Sequence, residues 1–108
     1  MKVYSAYQRG RLRLFLQGEL DQHAARRSTG VIESLLTEHL PRECVLDLGE
    51  LSFMDSSGIA LILKLYRRMQ REGGTLWVEN AAAQPMRVLD ASGIRRIVNI
   101  ALTKEAAT

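Results

Sequence analysis

A chain of 108 residues, 46% hydrophobic and 25% charged, can bury one real core, so 1–108 is expected to fold as one domain with no room for an elaborate active site. The net charge of +3 comes from bases scattered among acids in runs no longer than a pair, and few residues are aromatic, which argues against nucleic acid. The single Cys44 excludes an internal disulfide and has no Cys or His beside it at zinc spacing, so a reducing compartment and a bystander thiol are expected.

Residues 1–8 lack the apolar stretch of a signal peptide, and the longest aliphatic run, 59–63, is too short to span a bilayer. A cytoplasmic protein without membrane insertion is expected. Residues 2–7 and 11–17 read as two strands around Arg9-Gly10, with Leu12, Leu14 and Leu16 alternating against Arg11, Arg13 and Gln17. After Gly18-Glu19-Leu20-Asp21, residues 23–40 predict an amphipathic helix with Ala25, Val31, Ile32, Leu35, Leu36 and Leu40 on its inner side. Pro41 closes it, and 44–48 is apolar enough for an interior strand.

A second helix is expected over about 56–72, stopped by Gly73-Gly74. Its apolar residues, Ile59, Leu61, Ile62, Leu63, Leu65, Tyr66 and Met69, cover an arc of roughly 200°, about twice what one sheet face requires. Leu61 and Leu65 stand at one edge of that arc, and either meet a neighbouring helix or are partly exposed for a partner. Residues 76–79 read as a strand, 84–91 as a short helix begun near Pro85, and 97–100 as a last strand. This order predicts an α/β domain with a mixed sheet of four to five strands and helices mainly on one face.

The segment Met54-Asp55-Ser56-Ser57-Gly58 puts two hydroxyls beside a carboxylate where a loop becomes a helix. Unpaired backbone N–H groups and the positive end of the helix dipole favour added negative charge there, so Ser56 and Ser57 are candidates for phosphorylation. Asp and Ser before an apolar helix are also common caps, and Asp55 or Ser56 fits that role. A serine hydrolase does not fit, because Met54 stands where a nucleophile elbow needs its first glycine. Neither His23 nor His39 is tied to the serines by spacing, and Gly73-Gly74 ends a helix rather than opening a phosphate loop. Asp47, Glu50 and Asp55 lack further ligands at metal spacing, so no metal or cofactor is expected.

Four stretches together resemble the STAS domain family and, within it, the bacterial anti-sigma factor antagonists. They are Gly18-Glu19-Leu20-Asp21, Val45-Leu46-Asp47-Leu48, Phe53-Met54-Asp55-Ser56-Ser57-Gly58, and Pro85-Met86-Arg87-Val88-Leu89 running on to Ser92-Gly93-Ile94. The resemblance implies a STAS-like fold and a binding protein rather than an enzyme. Its unphosphorylated form is expected to bind an anti-sigma factor that is also a serine kinase, freeing the sigma factor; the kinase then modifies Ser57, with Ser56 as the alternative, and a serine phosphatase reverses it.

Asp21, Asp55, Ser56, Gly58, Leu61 and Leu65 are the expected kinase contacts. Ala24-Ala25 stands where relatives often carry a threonine, and the tail from residue 101 is short for a closing helix. A weak homodimer is allowed by edge strands and the wide apolar helix. The alternative role within the same fold is a STAS subunit of a membrane transport or scaffold assembly, docking without a phosphate switch. At about 6 Å from a partner carboxylate and an effective dielectric near 20, each pair of unit charges costs roughly 3 kcal/mol. Surface repulsion from a phosphate plus its bulk would thus weaken a complex by two decades or more with no conformational change.

Overall fold

The computed structural model describes residues 1–101; the expected fragment of a closing helix lies mostly outside them, in 102–108. In chain order the elements are β1 Lys2–Gln8, β2 Arg11–Leu20, α1 Gln22–His39, β3 Glu43–Met54, α2 Ser56–Arg71, β4 Thr75–Glu79, α3 Ala83–Ser92, a 3₁₀ turn Ile94–Arg96 and β5 Asn99–Ala101. The strands form one five-stranded sheet in the order β1-β2-β3-β4-β5, in which β1–β2 is antiparallel and every later pair is parallel. Each parallel connection steps to the next strand in the same direction. Right-handed crossovers that never reverse direction put all their helices on the same face.

That face carries the core. Leu12, Leu14 and Leu16 of β2, Cys44, Leu46 and Leu48 of β3, and Leu76 and Val78 of β4 alternate inward to meet Ile32 and Leu36 of α1, Ile62, Leu65 and Met69 of α2, and Leu89 of α3. Complete burial of a leucine contributes about 1.5–3 kcal/mol, which makes these alternating positions the main reason the sheet and helices associate.

Several expectations are corrected. On α1 the buried stripe is Ala24, Ser28, Ile32 and Leu36, at strict i, i+4 spacing, whereas Val31 and Leu40 are 52% and 64% exposed and Ala25 is half-buried. Asp21 caps the helix and so fixes its phase, and Leu40 leaves it in the left-handed conformation (φ 45°), its N–H donating to Leu36 O at 2.9 Å. On α2, Leu61 and Leu65 are not an exposed edge: they are 4% and 0% exposed. α2 packs on the sheet and on both α1 and α3, and a helix with three neighbours needs the wide apolar arc. The last strand starts at Asn99, after the 3₁₀ turn, and Ile97 is exposed.

The largest extensions are at the ends of β2 and β3, which run on to Leu20 and Met54 instead of stopping near Gln17 and Leu48. Their pairing is irregular between Phe15 and Gln17 and between Gly18 and Glu19, where Gly18 has φ +112°, a conformation that glycine takes without a side-chain clash. These shifts let Leu20 and Met54, directly paired, both turn inward.

The helix-free face has its own polar network. Arg13 donates to Asp47 Oδ2 at 2.8 Å and to Glu79 Oε1 at 2.9 Å; Asp47 also accepts from Asn80 Nδ2 at 3.0 Å and from the Gly49 N–H at 2.9 Å. Burial works against the Arg13 charge, but the hydrogen bonds and charges of Glu79 and Asp47 outweigh it and hold the guanidinium above its ordinary pKa. Burial likewise pushes the Cys44 thiol up to about 12, helped by the nearby Glu43 charge. A thiol so rarely ionised is a poor nucleophile.

Candidate functional site at the paired helix starts

Where β2 and β3 end side by side, the chain twice turns from a strand into a helix. Asp21 follows Leu20 and Asp55 follows Met54, and the Asp55 N–H donates back to Leu20 O at 3.3 Å, tying the two turns together. Each aspartate caps its helix. Asp21 Oδ1 accepts from Ala24 N–H at 2.9 Å, and Asp55 Oδ1 accepts from Ser57 N–H at 2.8 Å. Two helix N-termini therefore meet at the carboxyl ends of adjacent parallel strands, where backbone dipoles favour negative charge.

Gly58 is the residue that allows α2 to start this close. A Cβ there would collide with Met54 Cγ and lie 2.6 Å from Met54 Sδ and 3.1 Å from Leu20 Cδ2. A larger residue would push the start of α2 off the strand ends. The other side of the turn is held by α3: Gln84 Oε1 accepts from Met54 N–H at 2.8 Å, and Gln84 Nε2 donates to Met54 O at 3.0 Å. β4 pairs with β3 only as far as Asp47, so the Gln84 amide supplies both hydrogen bonds that a neighbouring strand would have given Met54.

Ser56 is exposed; Ser57 is half-buried. Ser57 lines a groove of about 240 Å³ between α1 and α2, with Arg26 and Thr29 on one wall and Ala60, Leu61 and Lys64 on the other. The Thr29 hydroxyl donates to Ala25 O at 2.7 Å, so it is held against its own helix.

Of the residues singled out in the sequence, Asp21, Asp55, Ser56, Ser57 and Gly58 are brought together at this end. Leu61 reaches the groove as part of its floor. Leu65, expected as a kinase contact, is fully buried and cannot offer a surface to a partner. Gln84, Arg26 and Lys64 were not anticipated. A polar residue just inside a helix start was the only trace of Gln84, and nothing in the spacing linked Arg26 to Lys64 across two helices.

The histidines stay apart from the serines. His39 stacks on Tyr7 with ring centroids 4.5 Å apart, at the far end of α1 and about 25 Å along it from Asp21. His23 lines a separate depression with Glu19, Asp21 and Arg27. Among the described residues no three His, Cys, Asp or Glu side chains gather as a metal site. No helix among them is long and apolar enough to cross a membrane.

The domain is a one-sided mixed α/β sheet with a capped serine turn at its strand ends. The chain belongs to the STAS domain family, whose model matches residues 5–107. An anti-sigma F factor antagonist of Paenibacillus polymyxa is 32% identical over 93% of this chain and 86% of its own length. The solved structure of the anti-sigma factor antagonist SpoIIAA in its unphosphorylated form matches with a TM-score of 0.80 at 26% identity, covering 98% of this chain and 92% of that one. The Bacillus cell fate determinant SpoIIAA in its phosphorylated form matches with a TM-score of 0.71 at 26% identity, covering 98% and 96%.

Proposed function

We propose that this chain is an anti-sigma factor antagonist controlled by phosphorylation of Ser57. In the unphosphorylated state it binds a cytoplasmic anti-sigma factor that is also a serine kinase, and the sigma factor is released. During modification the Ser57 Oγ forms a bond to the γ-phosphorus of ATP as the bond to ADP breaks, and the hydroxyl proton passes to a base of the kinase. A serine phosphatase restores the binding form. Asp21, Asp55 and Ser56 make the contact surface, with Leu61 reaching it only from the groove floor and Gly58, itself buried, setting how close α2 starts to the strand ends.

The observation that carries this reading is the division of labour at the start of α2. Asp55 takes the capping role by accepting the Ser57 N–H, and among the described residues no hydrogen bond engages the Ser57 hydroxyl, which lines the groove. A phosphate there gains the helix dipole and does not melt the helix that bears it. Support also comes from the relatives, which are antagonists of anti-sigma factors, one of them known in both unphosphorylated and phosphorylated forms.

Affinity capture from the native cell, followed by incubation of the captured partner with ATP and mass spectrometry of this chain, tests the proposal. An ATP-dependent phosphate on Ser57, absent from Ser57→Ala and retained in Ser56→Ala, is the expected result. Capture of a transporter subunit with no phosphate on either serine would replace this reading with docking in a transport assembly.

A further inference from the structure

Four charged side chains flank the Ser57 groove and its mouth: Asp21 and Asp55 at the two caps, Arg26 on α1 and Lys64 on α2. The carboxylates are occupied by the backbone N–H groups of Ala24 and Ser57. The cations are not: among the described residues neither Arg26 nor Lys64 enters an ion pair. Free surface cations are ordinary, but the next base along the same α1–α2 seam shows the contrast. Arg68 is committed three times over, to Glu72 at 2.7 Å, to the Thr37 hydroxyl at 2.9 Å and to Glu33 O at 3.4 Å.

Lys64 follows Ser57 by seven positions with Ala60 between them, all on one face of α2, and helical side chains lean toward the N-terminus, which carries the ammonium toward Ser57. Arg26 approaches from the opposite wall. Ala25 and Ala60 are small, so the space between the two cations is left open.

We propose that Arg26 and Lys64 form an intramolecular clamp for a phosphomonoester on Ser57. The clamp presupposes that Ser57 is the modified hydroxyl. A phosphoserine carries about −1.5 to −2 charges, which the two cations offset. Phosphorylation then fills the groove and offsets its two positive charges, while the capping carboxylates of Asp21 and Asp55 leave the whole site net negative and the helices stay where they are. A partner that reads the groove's positive charge loses it along with the room.

Phosphoserine inserted at position 57 during translation gives uniform full-length protein without a kinase, so the clamp is tested separately from the question of which residue the cell modifies. In a ³¹P NMR titration the phosphate of the parent is expected to lose its second proton at a pH lower by roughly 0.5–1 than in the Arg26→Ala/Lys64→Ala variant, because nearby cations favour the dianion. Raising the salt concentration should narrow that gap. Both side chains are exposed, so the variant should keep its fold; if its circular dichroism changes, the Arg26→Gln/Lys64→Gln pair replaces it. Superimposed titration curves for parent and folded variant would overturn the clamp. Loss of Ser57 phosphate in cells would instead count against the modification itself.

Discussion

Two regions of this molecule use charged and polar side chains in opposite ways. On the helix-free face, Arg13, Asp47, Glu79 and Asn80 close on one another and on the Gly49 N–H. At the paired helix starts, the aspartates cap their helices while, among the described residues, no hydrogen bond or ion pair engages the side chains of Ser56, Ser57, Arg26 or Lys64. A closed network is a structural device, since each member lowers the cost of burying the next. The open one, at the same sheet and on firm backbone, is the place the proposed phosphate would occupy.

Removing a member of the closed network should have the largest effect on stability. Asp47→Ala strips Arg13 of one of two carboxylates and leaves Asn80 and the Gly49 N–H without their acceptor, at a cost of about 2–4 kcal/mol in urea denaturation. Partner affinity of the folded fraction should be unchanged. The reverse is expected of a phosphate on Ser57: partner affinity falls by two decades or more, about 2.7 kcal/mol in an isothermal titration, with little change in melting temperature. A stability loss from the phosphate as large as that from Asp47→Ala would break the distinction between the regions.

Gly58→Ala lies between these cases. Its Cβ meets Met54, which must shift, and the strain of roughly 1–3 kcal/mol exceeds the helix-propensity gain of about 1 kcal/mol from replacing glycine, so the melting temperature should drop.

A smaller effect belongs to the core beneath both regions. Because the folded-state pKa of Cys44 is raised from 9.0 to about 12, its contribution is fully present below pH 9 and is lost as the pH rises toward 12, at up to ~1.4 kcal/mol per pH unit. Cys44→Ala should flatten that alkaline slope, measured as the denaturation midpoint between pH 8 and 10. The smallest change is expected from Arg26→Ala or Lys64→Ala in the unmodified protein, within about 0.5 kcal/mol of the parent, since both are exposed and outside ion pairs among the described residues.

The alternating leucines of β2, the aliphatic centre of β3 and the Gly-Gly stop after α2 made the element order legible, and with it the one-sided sheet. The strand ends were not legible. The expected strands stop at Gln17 and Leu48, one residue before Gly18 and Gly49, yet bulges and backbone pairing carry β2 and β3 past them to Leu20 and Met54. The inner face of α1 was misjudged because Val31 and Leu40 are apolar, while the small Ala24 and Ser28, which let the helix approach the sheet, carry little hydrophobic signal. Asp21, Asp55 and the serines stood out through local capping chemistry. Arg26, Lys64 and Gln84 depend on how separate helices are placed, and no pattern along one helix contains that.

The Gln84 side chain behaves as a strand one residue long, presenting both a donor and an acceptor to the last residue before the Asp55 turn. Exchanging its nitrogen for oxygen, as in Gln84→Glu, keeps the acceptor for the Met54 N–H but sets an anionic oxygen against the Met54 carbonyl. Half of the latch would hold and half would repel. The height of the serine loop above the sheet can therefore be retuned from α3, by a residue whose hydrogen bonds go to Met54.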